Sequence, residues 1–145
     1  MIDESAFQKC NSLANVSIPS SVTQIKRKAF CQCPSLNHVT FPSSIDAIDE
    51  YLFLDSSLIE ITIPSSITEI YGNAFIHCKS LKRVTIPSSV SAIYERAFAN
   101  CSSLTEVVFE APSSLTSFGF QLFFGLQFLL QYLQLIVKLL KDACY

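Results

Sequence analysis

Ala29-Phe30-Cys31-Gln32-Cys33-Pro34-Ser35-Leu36-Asn37-His38-Val39-Thr40-Phe41-Pro42-Ser43-Ser44 is the stretch that decides the fold. The same register returns on both sides of it. Phenylalanines stand at Phe7, Phe30, Phe53, Phe75 and Phe98, at intervals of 23, 23, 22 and 23 residues. Leu13, Leu36, Leu58, Leu81 and Leu104 follow in phase, and Pro19, Pro42, Pro64 and Pro87 close each unit. Pro112 closes a fifth after a two-residue insertion, Glu110 and Ala111. One residue is missing between Phe53 and Leu58, and the later columns shift together. Columns that share a deletion establish an internal repeat.

Within a unit, Leu-x-x-Val-x-Ile alternates at its end, which suits a short half-buried strand with Val and Ile inward. Proline stops the ladder, and the two serines offer local hydrogen bonds that favour a turn. A second apolar pair follows, Val22/Ile25 in one unit and Val90/Ile93 in another. The Ala-Phe-x-x-Cys stretch carries apolar groups at helical spacing, which predicts one turn of α- or 3₁₀-helix. One unit cannot bury its own apolar side, whereas stacked units share a continuous core. The expectation is an α/β repeat solenoid.

Ala29-Phe30-x-x-Cys33-x-Ser35-Leu36-x-x-Val39-x-Phe41-Pro42-Ser43-Ser44 and its copies resemble the BspA-type leucine-rich repeat. The resemblance spans residues 2–123. It implies a stacked parallel sheet on one face, with short turns or helical turns opposite. It further implies a surface-displayed protein acting in adhesion or host-protein binding, with no catalytic residues to carry over.

The expected organisation is an array of about five units of 22–25 residues over 1–123, then an apolar C-terminal helix over 124–145. Ile2–Phe7 aligns with Ile25–Phe30, so the chain is expected to start inside a repeat, without a signal peptide. In the tail Leu126 replaces the cysteine of the motif and the period is lost. No charged residue occurs from Ala111 to Val137, and Gln127, Gln131, Gln134 and Lys138 fall on one narrow helical face. Three readings of this tail stay open: a cap on the last unit, a membrane segment ending at Lys138 and Lys141, or a frame-shifted end.

Composition narrows the chemistry. The 145 residues carry a net charge of −2 and only 15% charged side chains, unlike the basic surface of a nucleic-acid binder. Three glycines leave no room for a long phosphate-cradling loop. Cys10, Cys33, Cys78 and Cys101 share one repeat position and read as buried free thiols rather than bridges. Cys31-x-Cys33 lacks a second ligand pair, so no metal is expected. His38 and His77 occupy different phases with no nucleophile beside them, and neither catalysis nor a cofactor is expected. The basic run Lys26-Arg27-Lys28 faces Asp3-Glu4 one repeat below and Asp49-Glu50 one above, which reads as knitting between coils. The sequons at Asn15 and Asn100 are at chance frequency.

The outer face of the strands is the candidate binding surface. Asn15, His38, Glu60, Arg83 and Glu106 form one outward column, and Ser17, Thr40, Thr62, Thr85 and Val108 form the other. Such a stripe suits an extended protein surface, and the resemblance implies an extracellular-matrix or host surface protein as the partner. The alternative is a structural spacer, a section of a longer array whose partners are adjoining repeats.

Overall fold

The computed structural model describes residues 1–126. Numbering each coil by its phenylalanine, coils 1 to 6 carry Phe7, Phe30, Phe53, Phe75, Phe98 and Phe123. The segment after each phenylalanine turn extends into a longer strand: β1 (Asn15–Ser17), β2 (His38–Thr40), β4 (Glu60–Thr62), β6 (Arg83–Ile86) and β8 (Glu106–Phe109). The segment before the turn forms a two-residue strand: β3 (Ala47–Ile48), β5 (Glu69–Ile70), β7 (Ala92–Ile93) and β9 (Ser117–Phe118). Every pairing is parallel and in register, for example Val16 on Val39, and Val84 on both Ile61 and Val107. The result is a solenoid of stacked coils.

Two sequence expectations need correction. The first is the α component: among the described residues there is no helix. The Ala-Phe-x-x-Cys stretch is a series of tight turns instead, because each coil places two residues in the left-handed region. Lys28 (φ 59°) and Gln32 (φ 56°) flank Ala29–Cys31, and Asn73 (φ 59°) and His77 (φ 61°) do so two coils on. The amides between them alternate in direction. Cys31 N–H donates within the turn to Lys28, while Phe30 N–H donates to the Leu52 carbonyl of the next coil. A helix cannot survive a left-handed residue at every fourth position. The expected helix over 124–145 fails at its start, since Phe124 and Gly125 still belong to the coil 6 turn; the rest of that expectation lies outside the described residues.

The second correction concerns the side opposite the longer strands. It is a second parallel sheet, ordered β3-β5-β7-β9, and Ile48, Ile70, Ile93 and Phe118 form one column of it. The Val-x-x-Ile pairs announced apolar residues there, but two-residue strands are too short to show alternation. The Pro-Ser-Ser corner joins the two sheets. Its turn closes through Val22 N–H to the Pro19 carbonyl at 3.0 Å, repeated at Ile67 and Val90. Its second serine bonds across coils rather than locally: Ser44 Oγ donates to the Val22 carbonyl, and Ser89 Oγ to the Ile67 carbonyl.

A single core runs the length of the array. Phe30, Phe53, Phe75 and Phe98 are fully buried and stack ring on ring, with centroids 5.8, 5.4 and 5.0 Å apart and planes within 14°. Phe7 and Phe123 continue the stack at either end, at 5.3 and 5.7 Å. Leu36, Leu58 and Leu81 fill the space behind them.

Cysteines three residues after the phenylalanines also repeat, and the structure shows what they do. The Cys33, Cys78 and Cys101 thiols each donate to the phenylalanine carbonyl one coil back, at 3.0–3.1 Å. In coil 3 the position is Ser56, buried to 3% exposure, whose hydroxyl makes the same bond to the Phe30 carbonyl at 3.1 Å. The site selects a small donor because that carbonyl is otherwise under-satisfied away from water. Deletion of one residue after Ser56 therefore left the donor in place.

Candidate functional site

The longer strands present their outward residues in the expected register. Asn15 lies beside His38, and Arg83 lies between Glu60 and Glu106. In the second column Ser17 pairs with Thr40, Thr62 with Thr85, and Thr85 with Val108. Asn15, Ser17, His38, Thr40, Glu60, Thr62, Arg83 and Glu106 are exposed, while Thr85 and Val108 are half-buried. The alternation that buries Val39, Ile61 and Val84 pushes these neighbours outward.

The face is in two parts. β1 and β2 form one sheet, and β4, β6 and β8 form another. Asn15, Ser17, His38 and Thr40 therefore share one part, and Glu60, Thr62, Arg83, Thr85, Glu106 and Val108 the other. Within the first, His38 Nε2 meets the Thr40 hydroxyl at 3.3 Å. Within the second, Arg83 Nε lies 3.5 Å from Glu106 Oε2, both side chains more than half exposed. That pairing is worth a few tenths of a kcal/mol, roughly, so Arg83 is easily recruited by another anion. The knitting expected of the basic run has a counterpart: Arg27 Nε sits 3.3 Å from Glu4 Oε1, and Lys28 Nζ lies 5.8 Å over the Tyr51 ring.

Sequence reasoning missed the residues on the second sheet. Tyr71 and Tyr94 stack at 5.0 Å with planes 5° apart, and their hydroxyls donate to the two oxygens of the Glu69 carboxylate, at 2.8 and 3.1 Å. The carboxylate acceptor pushes the Tyr71 hydroxyl up to about 12 and raises Tyr94 in the same direction. Two tyrosines 23 residues apart were the available signal. Burial raises the thiols too: Cys101 to about 12, Cys78 well above its ordinary value, with smaller rises at Cys31 and Cys33. A protonated, buried thiol is a poor nucleophile.

Among the described residues no three His, Cys, Asp or Glu side chains gather closely enough to hold a metal ion. Nor is any helix there long and apolar enough to cross a membrane. His77 occupies a left-handed turn position, and His38 has Thr40 as its side-chain hydrogen-bond partner.

Comparison with known proteins agrees with this architecture. A crystal structure of a leucine-rich cell surface protein from Faecalibacterium prausnitzii matches at 39% identity and a TM-score of 0.72, over 78% of this chain and 32% of that one. The leucine-rich repeat protein of T. pallidum matches at 29% identity and a TM-score of 0.65, over 80% and 64% of the respective chains. The pneumococcal vaccine antigen PcpA matches at 30% identity and a TM-score of 0.63, over 77% and 28%. The chain thus spans about a third of the first of these proteins and somewhat less than two thirds of the second. No curated protein matches it. The BspA type leucine-rich repeat region matches residues 1–129 in six copies, and the chain belongs to that family.

Proposed function

We propose that the chain is a non-enzymatic protein-binding module of a surface-displayed protein, and that it docks its partner along the longer-strand face. The observation that carries this reading is the contrast within the strands: inward residues stay Val or Ile, while their outward neighbours run Asn, His, Glu, Arg, Glu. Nothing in packing demands that variety, so it is free to carry recognition. A surface location is supported by the relatives, one described as a cell surface protein and another as a vaccine antigen. The partner class is a protein of the host surface or extracellular matrix.

The test compares two charge reversals. Arg83→Glu creates three consecutive anionic coils on the face, with Glu60 and Glu106 on either side. Arg27→Glu faces Glu4 in the same way but lies on another side, so it controls for stability. Capture of an immobilised extracellular-matrix protein should fall about tenfold or more for Arg83→Glu and hold for Arg27→Glu. The reverse result would move the docking surface to the other side.

A second reading is a spacer without a binding site of its own. It is favoured by the chain covering only 32% and 28% of two longer relatives. Unchanged capture by both variants, at equal folding, selects it.

A further inference from the structure

Coils 2 and 3 are joined unlike the other coils. On the longer-strand side β2 and β4 lie next to each other but form no ladder. Their nearest backbone link is a single long bond from Ile59 N–H to the Asn37 carbonyl, 3.4 Å. The short-strand side is interrupted at the same level. Ile25 bridges Ile2 below it, and β3 pairs with β5 above it. Bonds such as Lys26 N–H to Ile2 and Tyr71 N–H to Ile48 cross the coils on either side of this gap. Among the described residues none joins Thr23–Lys26 to Asp46–Asp49. The space left there is a groove of about 420 Å³ whose walls include Thr23, Gln24, Asp46 and Ala47.

The turn side, by contrast, is fully bonded across the same junction. Lys28, Phe30 and Gln32 N–H groups donate to the Glu50, Leu52 and Leu54 carbonyls, at 3.1, 3.1 and 2.6 Å, and Ser56 Oγ donates to Phe30. At the far corner one side-chain bond remains, from Ser44 Oγ to the Val22 carbonyl. Two sequence features fall at this junction. Coil 3 is one residue short between Phe53 and Leu58, which shortens the lead into β4. Phe41 replaces the isoleucine found at Ile18, Ile63 and Ile86, and its ring meets Phe53 edge-on at 5.9 Å.

We infer that the junction is a hinge with a latch: coils 1–2 pivot against coils 3–6 about the bonded turn side, and the Ser44 hydroxyl holds the opposite corner closed. Hinge motion turns rigid parts about the few residues that tie them, and here the turn side is the tied edge. A pivot here changes the angle between the two parts of the strand face while leaving each part rigid.

The experiment measures distances between nitroxide pairs on the full chain, with the labelled parent chain as background. One pair, Thr40→Cys with Thr62→Cys, spans the junction; the other, Thr85→Cys with Val108→Cys, spans an intact ladder. The junction pair should show a distance distribution about twofold broader or more. Ser44→Ala should broaden it further, whereas Ser89→Ala, which removes the matching bond between coils 4 and 5, should leave the second pair unchanged. Equal widths in the two parent pairs would overturn the hinge, and an unmoved junction pair in Ser44→Ala would overturn the latch. Circular dichroism well below the melting transition confirms that each variant is folded.

Discussion

The turn side and the longer-strand face are built from the same stacked coils, yet they repeat differently. On the turn side one position is phenylalanine six times over, and the position three residues on is a thiol or hydroxyl donor in coils 1 to 5. On the strand face the column Asn15, His38, Glu60, Arg83 and Glu106 changes in chemical class from one coil to the next, although its neighbour stays hydroxyl from Ser17 to Thr85. Burial explains the difference. A ring stacked between two rings has one shape that fits, and a buried carbonyl needs one donor. An outward residue meets water and tolerates most side chains. Repetition within the chain therefore marks what holds the coils, and its loss marks positions that packing leaves free.

Substitutions test that contrast, beginning with its largest expected effect. Phe75→Ala removes the middle of the ring stack and should destabilise by about 3–5 kcal/mol in urea unfolding. Arg83→Ala on the longer-strand face should cost no more than about 0.5 kcal/mol. Similar costs for the two would erase the distinction between the sides.

Alkaline pH should weaken the turn side first, from pH 9 upward, with Tyr71 beside the second sheet contributing only above pH 10. The Cys101 thiol titrates near 9.0 when unfolded and near 12 when folded, so its contribution is intact below pH 9. Above that the unfolded chain loses the proton while the native chain keeps it, and stability falls until the folded thiol also titrates. By pH 11 the loss is on the order of 2–3 kcal/mol for this thiol, with Cys78 adding to it. Thermal melts of Cys101→Ser, which keeps a donor that does not titrate there, should show a flatter decline between pH 9 and 11.

A smaller effect separates the donor from its apolar bulk. Ser56→Ala leaves the Phe30 carbonyl short of a partner and should cost about 1–3 kcal/mol, while Ser56→Cys should recover most of it. The smallest expected change tests the turns themselves. Asn73 sits at φ 59°, so Asn73→Val should cost about 1–2 kcal/mol and Asn73→Gly much less. A tolerated valine in denaturant melts would mean that the turn adjusts its backbone at little expense.

Much of this was legible in the residues, though unevenly. The ring stack and parallel register were readable because Phe, Leu and Pro recur at one spacing with one shared deletion. The outward columns followed from strand alternation. The left-handed turns were hidden because lysine, glutamine, tyrosine and arginine occupy positions where glycine would have announced them. Cys33 and Cys78 were readable as buried, but their role as donors appears only when Ser56 is seen making the same bond. The sharing of Glu69 by Tyr71 and Tyr94 was out of reach, since it depends on which way three side chains on two neighbouring coils turn.

The ladder bonds all run along the stacking axis, from one coil to the next, and this orientation governs the response to tension. A pull on the two ends of the array loads them a coil at a time, like teeth of a zip, rather than all together in shear. Each coil peeled away frees 22–25 residues, or about 75–85 Å of extended chain. Under such a load the array lengthens in steps and behaves as an extensible tether, and the coils still stacked keep their outward side chains in place.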